Sequence, residues 1–218
     1  MPLTLLELFP EPTVIPVVTV DKADDAVAVA SALQDGGLRS IELTLRKPGA
    51  WEAAAAVRAA FPDILLGIGT VTHANHLERA VEIGAQFAVS PGLTDSLAHA
   101  GRELDIAYLP GIATASELMT AADFGYHAVK VFPAERLGGT AMIRQFSDVF
   151  PHMRFCPSGG VRDTTLADYL SVPAVFAAGG TWLAPAADIA ARDWPGILAR
   201  AQQAADICLH RRAGGAGS

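Results

Sequence analysis

Cysteine is nearly missing from this chain: Cys156 and Cys208 are the only two among 218 residues. Two thiols so far apart give no disulfide framework, and the simplest setting for them is a reducing cytoplasm. Basic residues are in deficit, with 16 Lys and Arg against 23 Asp and Glu and a net charge of −7. That balance argues against a nucleic-acid partner, whose phosphates call for a basic surface, but leaves room for a local basic pocket holding a small anion. No apolar run reaches the roughly 18 residues that span a bilayer, so no membrane role is expected. The opening MPLTLLELFPEP has an acid at Glu7, prolines at Pro10 and Pro12, and none of the basic start of a secretory leader. It reads as a short helix folded against the body.

Lysine is scarce too, present only as Lys22, Lys47 and Lys130. Lys22 falls in the polar DKADD and Lys47 in the turn RKPG. Lys130 stands inside YHAVKVFPAE, residues 126–135, between Val129 and Val131. An ammonium there is unfavourable to bury unless it is paired or gives up its proton.

What the chain does have is alternation. Eight apolar, strand-like runs recur: VIPVVTV (14–20), SIELTL (40–45), LLGIGTV (65–71), QFAVS (86–90), IAYLPGI (106–112), AVKVFPA (128–134), RFCPSGGV (154–161) and AVFAAGG (174–180). Between them lie segments of helical period, such as ADDAVAVASALQDGG (23–37), closed by glycine. TDSLAHAGREL (94–104) and TASELMTAADFG (114–125) each open with threonine in a good capping position. Near-continuous apolar strands separated by helices predict a parallel sheet covered by helices. Eight such units predict an α/β chain folded as a (β/α)8 TIM barrel with a short N-terminal helix. An open doubly wound sheet is the alternative. No linker or second domain is evident, so residues 1–210 are expected to form one barrel domain and residues 211–218, RRAGGAGS, a disordered tail.

Active sites of such barrels lie at the C-terminal strand ends. Alternation along IELTLR puts Glu42, Thr44 and Arg46 on one face and Ile41, Leu43 and Leu45 on the other. The same parity pairs Ile68 with Thr70, and groups Ala128, Lys130 and Phe132 away from Val129 and Val131. Lys130 and Glu42 are thus expected to point into one interior. They are either a buried ion pair with Arg46 as a third member, or a working pair. A lysine shielded by apolar walls, or near a cation such as Arg46, can be a neutral amine and so a nucleophile, with Glu42 as its acid/base partner. The seventh and eighth runs end in paired glycines, Gly159–Gly160 and Gly179–Gly180. Loops at those strand ends commonly hold phosphate, with Ser158 and Thr181 as added hydroxyl donors.

Other signals carry less. GIGTVT (67–72) departs from a dinucleotide fingerprint at Thr72. His73 and His76 in HANH have no third ligand nearby and read as a solvated helix end, so no metal is expected. Cys156 reads as core, and Met119 and Met142 as helix packing. Trp182 fits either barrel closure or a subunit contact.

Taken together, IPVVTV, IELTLR, GIGTV, AVSPGLT, YLPGIATASELM, VKVFPAE, RFCPSGGV and GGTWL resemble the KDPG/KHG aldolases, a class I aldolase family acting on 2-keto-3-deoxy-6-phosphogluconate, over about 200 residues in order. The resemblance implies a barrel enzyme, commonly a homotrimer, that needs no cofactor. It makes Lys130 the Schiff-base lysine and Glu42 the proton shuttle. It gives Arg46 the pyruvyl carboxylate, and Thr70, Pro91 and Phe132 the lining of the pyruvate pocket. Ser158, Gly159, Gly160, Gly180 and Thr181 fall where the family binds phosphate. Ser158 stands where the family often has threonine, and Thr181 where it often has serine. Both keep a hydroxyl. The competing readings are a non-covalent phosphate-binding barrel isomerase or synthase, and a non-catalytic sensor of sugar phosphates.

Overall fold

The computed structural model describes residues 3–215. A four-residue helix α1 (Leu5–Leu8) leads into β1 (Thr13–Val18), α2 (Ala23–Asp35), β2 (Ser40–Thr44), α3 (Ala50–Ala60), β3 (Leu65–Gly69) and α4 (Ala74–Glu82). The chain continues through β4 (Phe87–Val89), α5 (Asp95–Glu103), β5 (Ala107–Leu109), β6 (Gly111–Ile112), α6 (Ala115–Asp123) and β7 (Ala128–Val131). A 3-10 turn (Ala134–Leu137), α7 (Gly139–Val149), β8 (Arg154–Pro157), α8 (Asp163–Leu170), β9 (Ala177–Gly180), α9 (Ala186–Ala191) and α10 (Trp194–Gly215) complete it. Each expected apolar run holds a strand, and Thr94 and Thr114 cap α5 and α6 through their hydroxyls. The backbone of α10 is helical past the boundary expected at residue 210; residues 216–218 lie outside the described ones. Among the described residues no helix is long and apolar enough to cross a membrane.

The strands pair in parallel as two sheets, a curled six-stranded one in the order β5-β4-β3-β2-β1-β9 and a three-stranded one in the order β6-β7-β8. This is coarser than the eight-stranded ladder expected. The fifth run is split at Pro110: β5 pairs with β4, while β6 pairs with β7. A proline lacks the N–H that a continuous ladder needs, and its carbonyl instead accepts from Lys130 N at 2.8 Å. Isolated parallel bridges, Phe155 with Val175 and Ser158 with Gly179, link the sheets at the other side.

Two cores follow from strand alternation. Outward-facing Val18, Ile41, Leu43, Leu66, Ile68, Val129 and Val131 pack with the buried faces of the helices. Inward-facing Ile15, Phe87, Val89, Leu109, Ala128, Cys156 and Phe176 form a smaller cluster. Leu5 and Phe9 of the N-terminal segment join that inner cluster, with Phe9 edge-on to Phe87 at 5.4 Å between centroids. The helix α1 is fixed for this by a capping box between Thr4 and Glu7. The apolar end of the interior therefore packs against α1 and the residue that follows it. Met119, expected in helix packing, is 56% exposed, because it falls on the outer face of α6.

All three tyrosines are buried. Burial pushes Tyr108 up to about 12, against a smaller opposing effect of its hydrogen bond with Ser90. Burial also raises Tyr126, with Tyr108 adding to it, and raises Tyr169, with the Glu135 carboxylate adding to it. An unfolded tyrosine releases its proton near about pH 10, so the folded form keeps protons that the unfolded form loses. This contribution to stability is whole below about pH 10 and is lost as pH rises from there towards the folded values. Phenolate absorbance followed against pH should rise well above pH 10 in native protein and near about 10 in urea. A native transition coincident with the denatured one would contradict the burial.

Candidate active site

Lys130 sits mid-way along β7, in register with Gly111 on one side and Cys156 on the other. Backbone bonds from Lys130 N to Pro110 O and from Phe132 N to Ile112 O, at 2.8 and 3.0 Å, hold its segment against β6. Its Nζ lies 3.7 Å from Glu42 Oε1 and 5.1 Å from the centre of the Phe132 ring. The two charged side chains are 6% and 5% exposed. Alternation along β2 and β7 therefore does what the sequence predicts, turning both side chains into one interior.

Glu42 Oε1 is buried and has no hydrogen-bond partner within the described residues, so it faces Lys130 with acceptor capacity unused. Its place depends on Gly69, where an added Cβ would run into the Glu42 carboxylate. Glu42 is paired with Lys130 and not with Arg46, the third member allowed for by the sequence. Beside Lys130, Cys156 is buried; burial pushes its thiol up to about 12, Lys130 pulling the other way and Glu42 adding to the rise. A thiol so protonated packs rather than reacts.

Arg46 is exposed at the rim, where its Nε donates to Thr70 Oγ1 at 3.1 Å. Strict alternation would give Thr70 the face of Ile68, which packs outward among the helices. It does not, because Thr70 has a φ of 61° and breaks the strand there. A left-handed conformation is rare for a β-branched residue and costs about 1–3 kcal/mol, a strain typical of functional positions. Thr44, on the inward face with Glu42, is buried and shares a 2.7 Å hydrogen bond with Thr19.

Pro91 is exposed on the loop after β4. Sequence reading missed the residue that holds it. Ser90, fully buried, donates to Gly92 O at 2.6 Å, shares a hydrogen bond with the Tyr108 hydroxyl at 2.7 Å and accepts from Gly111 N at 3.2 Å. Gly111 is the strand partner of Lys130, so this serine ties the Pro91 loop to the lysine strand. The available signal was a polar residue ending the apolar run QFAVS.

The paired glycines come together. Ser158 is buried and bridges to Gly179, whose missing side chain makes room for the Ser158 hydroxyl. Gly159 and Gly160 take φ of 87° and 92°, a turn few other residues enter. The ring of Trp182 covers Gly180, and Thr181 beside it is exposed.

His73 and His76 meet edge-to-face with their ring centres 5.2 Å apart, and His76 also meets the Trp51 ring edge-on. Burial lowers the pKa of His76, with His73 and Arg79 adding to the effect. Among the described residues no cluster of three His, Cys, Asp or Glu could hold a metal ion.

A buried lysine–glutamate pair, an arginine at the rim and two facing glycine loops together form the site. The model of the KDPG and KHG aldolase family matches residues 7–200. The chain belongs to that family. It is 43% identical over 198 residues to a 2-dehydro-3-deoxy-phosphogluconate aldolase of Pseudoalteromonas atlantica, covering 91% of this chain and 92% of that one. Among solved structures, it is similar to the KDPG aldolase of Legionella pneumophila with pyruvate captured as a covalent carbinolamine. The TM-score is 0.88 at 38% identity, over 91% of this chain and 96% of that one. The 2-keto-3-deoxy-6-phosphogluconate aldolase of Zymomonas mobilis with 3-phosphoglycerate gives a TM-score of 0.82 at 39% identity, over 88% and 90% of the two chains.

The space that Gly69 leaves for Glu42 can be tested by filling it. Gly69→Ala should fold, because the methyl displaces one side chain, but should lose about 100-fold in family activity by moving the carboxylate away from Lys130. Aldol cleavage assayed beside a thermal melt checks this, and unchanged turnover would mean that Glu42 need not sit where it does.

Proposed function

We propose that this chain is a class I aldolase that cleaves 2-keto-3-deoxy-6-phosphogluconate to pyruvate and D-glyceraldehyde 3-phosphate through a Schiff base on Lys130. The observation that carries this reading is the buried Lys130 amine 3.7 Å from the Glu42 carboxylate. It is supported by the family and by the Legionella relative, which holds pyruvate as a carbinolamine.

The chemistry proceeds as follows. Lys130 Nζ, having passed a proton to Glu42, attacks the C2 ketone and forms a carbinolamine. Proton return to the C2 oxygen lets it leave as water, giving an iminium. The positive nitrogen draws in the electron pair of the C3–C4 bond as that bond breaks. Glu42 takes the C4 hydroxyl proton, and the aldehyde departs. The enamine left behind is protonated at C3, and hydrolysis of the new iminium frees pyruvate and restores the amine. One carboxylate serves each proton transfer in turn because it stands beside the nitrogen throughout.

Arg46 at the rim is suited to the substrate carboxylate, and its bond to strained Thr70 fixes the guanidinium. Phe132 and Pro91 complete the pyruvyl pocket. Ser158, Gly159, Gly160, Gly180 and Thr181 take the phosphate, a role supported by the meeting of the two glycine loops and by the 3-phosphoglycerate in the Zymomonas relative. The same pyruvyl pocket suits 4-hydroxy-2-oxoglutarate or the galactonate-derived acid, which differ at the far end. The proposal includes a closed eight-stranded barrel, for which chain continuity at Pro110 and the isolated bridges Phe155–Val175 and Ser158–Gly179 are the support. It also includes a cytoplasmic homotrimer working without a cofactor, supported by the family likeness.

Pyruvate release from the phosphorylated substrate tests the roles. Lys130→Met should lose all measurable Schiff-base turnover, and Glu42→Gln about 100- to 10,000-fold in kcat. Lys130→Met retaining wild-type cleavage would favour a non-covalent barrel enzyme instead.

A further inference from the structure

Behind the glycine loop lies a carboxylate that the chemistry above does not use. Glu135, in the 3-10 turn after β7, donates from its backbone N to Gly159 O at 3.1 Å. Its side chain lies against Gly160 so closely that a Cβ added at Gly160 would strike the Glu135 Cβ. Glu135 is exposed, and one hydrogen bond fixes where its charge points: Tyr169 OH donates to Glu135 Oε2 at 2.8 Å. Tyr169 belongs to α8, the helix that follows the loop, and is 1% exposed. Gly139, with a φ of 61°, leaves the space beside the pair, since its Cβ would come within 3.3 Å of the Tyr169 oxygen.

We propose that Tyr169 is a positioning residue for substrate choice, tethering the Glu135 carboxylate aside so that it does not repel a phosphate on the Gly159–Gly160 loop. The inference rests on the reading of that loop as the phosphate site. A carboxylate and a phosphate dianion repel, and the repulsion depends on where the charge is held. Freed of its tether, the Glu135 side chain can turn over Gly160. A tyrosine that merely braced the fold would affect all substrates alike.

The experiment compares phosphorylated 2-keto-3-deoxygluconate with unphosphorylated 4-hydroxy-2-oxoglutarate in wild type, Tyr169→Phe, Glu135→Ala and Tyr169→Phe/Glu135→Ala. Wild type should favour the phosphorylated substrate; equal efficiency would overturn the phosphate reading and this inference with it. Tyr169→Phe should raise KM for the phosphorylated substrate about threefold, with kcat and the unphosphorylated KM unchanged, as suits an exposed charge. The defect should shrink at high salt. Glu135→Ala, which removes tether and charge together, should leave the phosphorylated KM at or below the wild-type value, and so should the double variant. A clear wild-type preference combined with equal losses on both substrates in Tyr169→Phe, or with a raised KM in Glu135→Ala, would overturn the tether alone. Should Tyr169→Phe not fold, Glu135→Ala decides by itself.

Discussion

Setting an amine and a carboxylate 3.7 Å apart in an interior that water scarcely reaches takes hydration from both. The cost of that loss can exceed their attraction, so such a pair is weak evidence of stability. The surrounding architecture holds it in place. The β7 strand is pinned by backbone bonds to Pro110 and Ile112, and the space for Glu42 is kept by the bare backbone of Gly69. One acceptor of Glu42 has no hydrogen bond among the described residues. A protein selected for stability alone would fill that position with a hydrocarbon. In the proposed chemistry the closeness of the amine and the carboxylate is what lets protons pass between them.

The rest of the interior is divided to suit. At one end Ile15, Phe87, Phe176 and Ala128 pack with Leu5 and Phe9. At the other, the side chains become polar and then exposed in sequence, from buried Glu42, Lys130 and Ser158 to exposed Arg46, Gly160 and Thr181. In the proposed reaction a keto acid would enter by that mouth, past charge at the rim, to reach the buried amine. The outward core, anchored by Ile41, Leu43, Val129 and Val131 under the helices, fixes the strands that carry both partners. Stability and chemistry are therefore placed on opposite faces of the same strands.

Much of this arrangement is legible in the sequence. Two-residue alternation placed Glu42 and Lys130 together because β2 and β7 are regular strands with one apolar face each. The same rule misjudged the neighbourhood of Thr70, since a single left-handed residue ends the alternation and no pattern of apolar residues signals it. Pro110 split a run that looked continuous, because hydrophobicity does not register a missing N–H. Ser90 escaped notice because a serine at a strand end is usually solvated, and only the approach of Tyr108 and Gly111 makes it a junction. The Glu135–Tyr169 bond joins residues 34 apart in sequence, and neither one alone suggests the other.

All of this turns on Lys130 being the nucleophile. Pyruvate and borohydride added together should reduce the Schiff base and fix one pyruvate-derived group per chain. Peptide mapping by mass spectrometry can then choose among Lys22, Lys47 and Lys130. Modification confined to the peptide carrying Lys130, absent without pyruvate, is the result expected. An intact, unmodified Lys130 under conditions where the protein cleaves its substrate would contradict the account at its root.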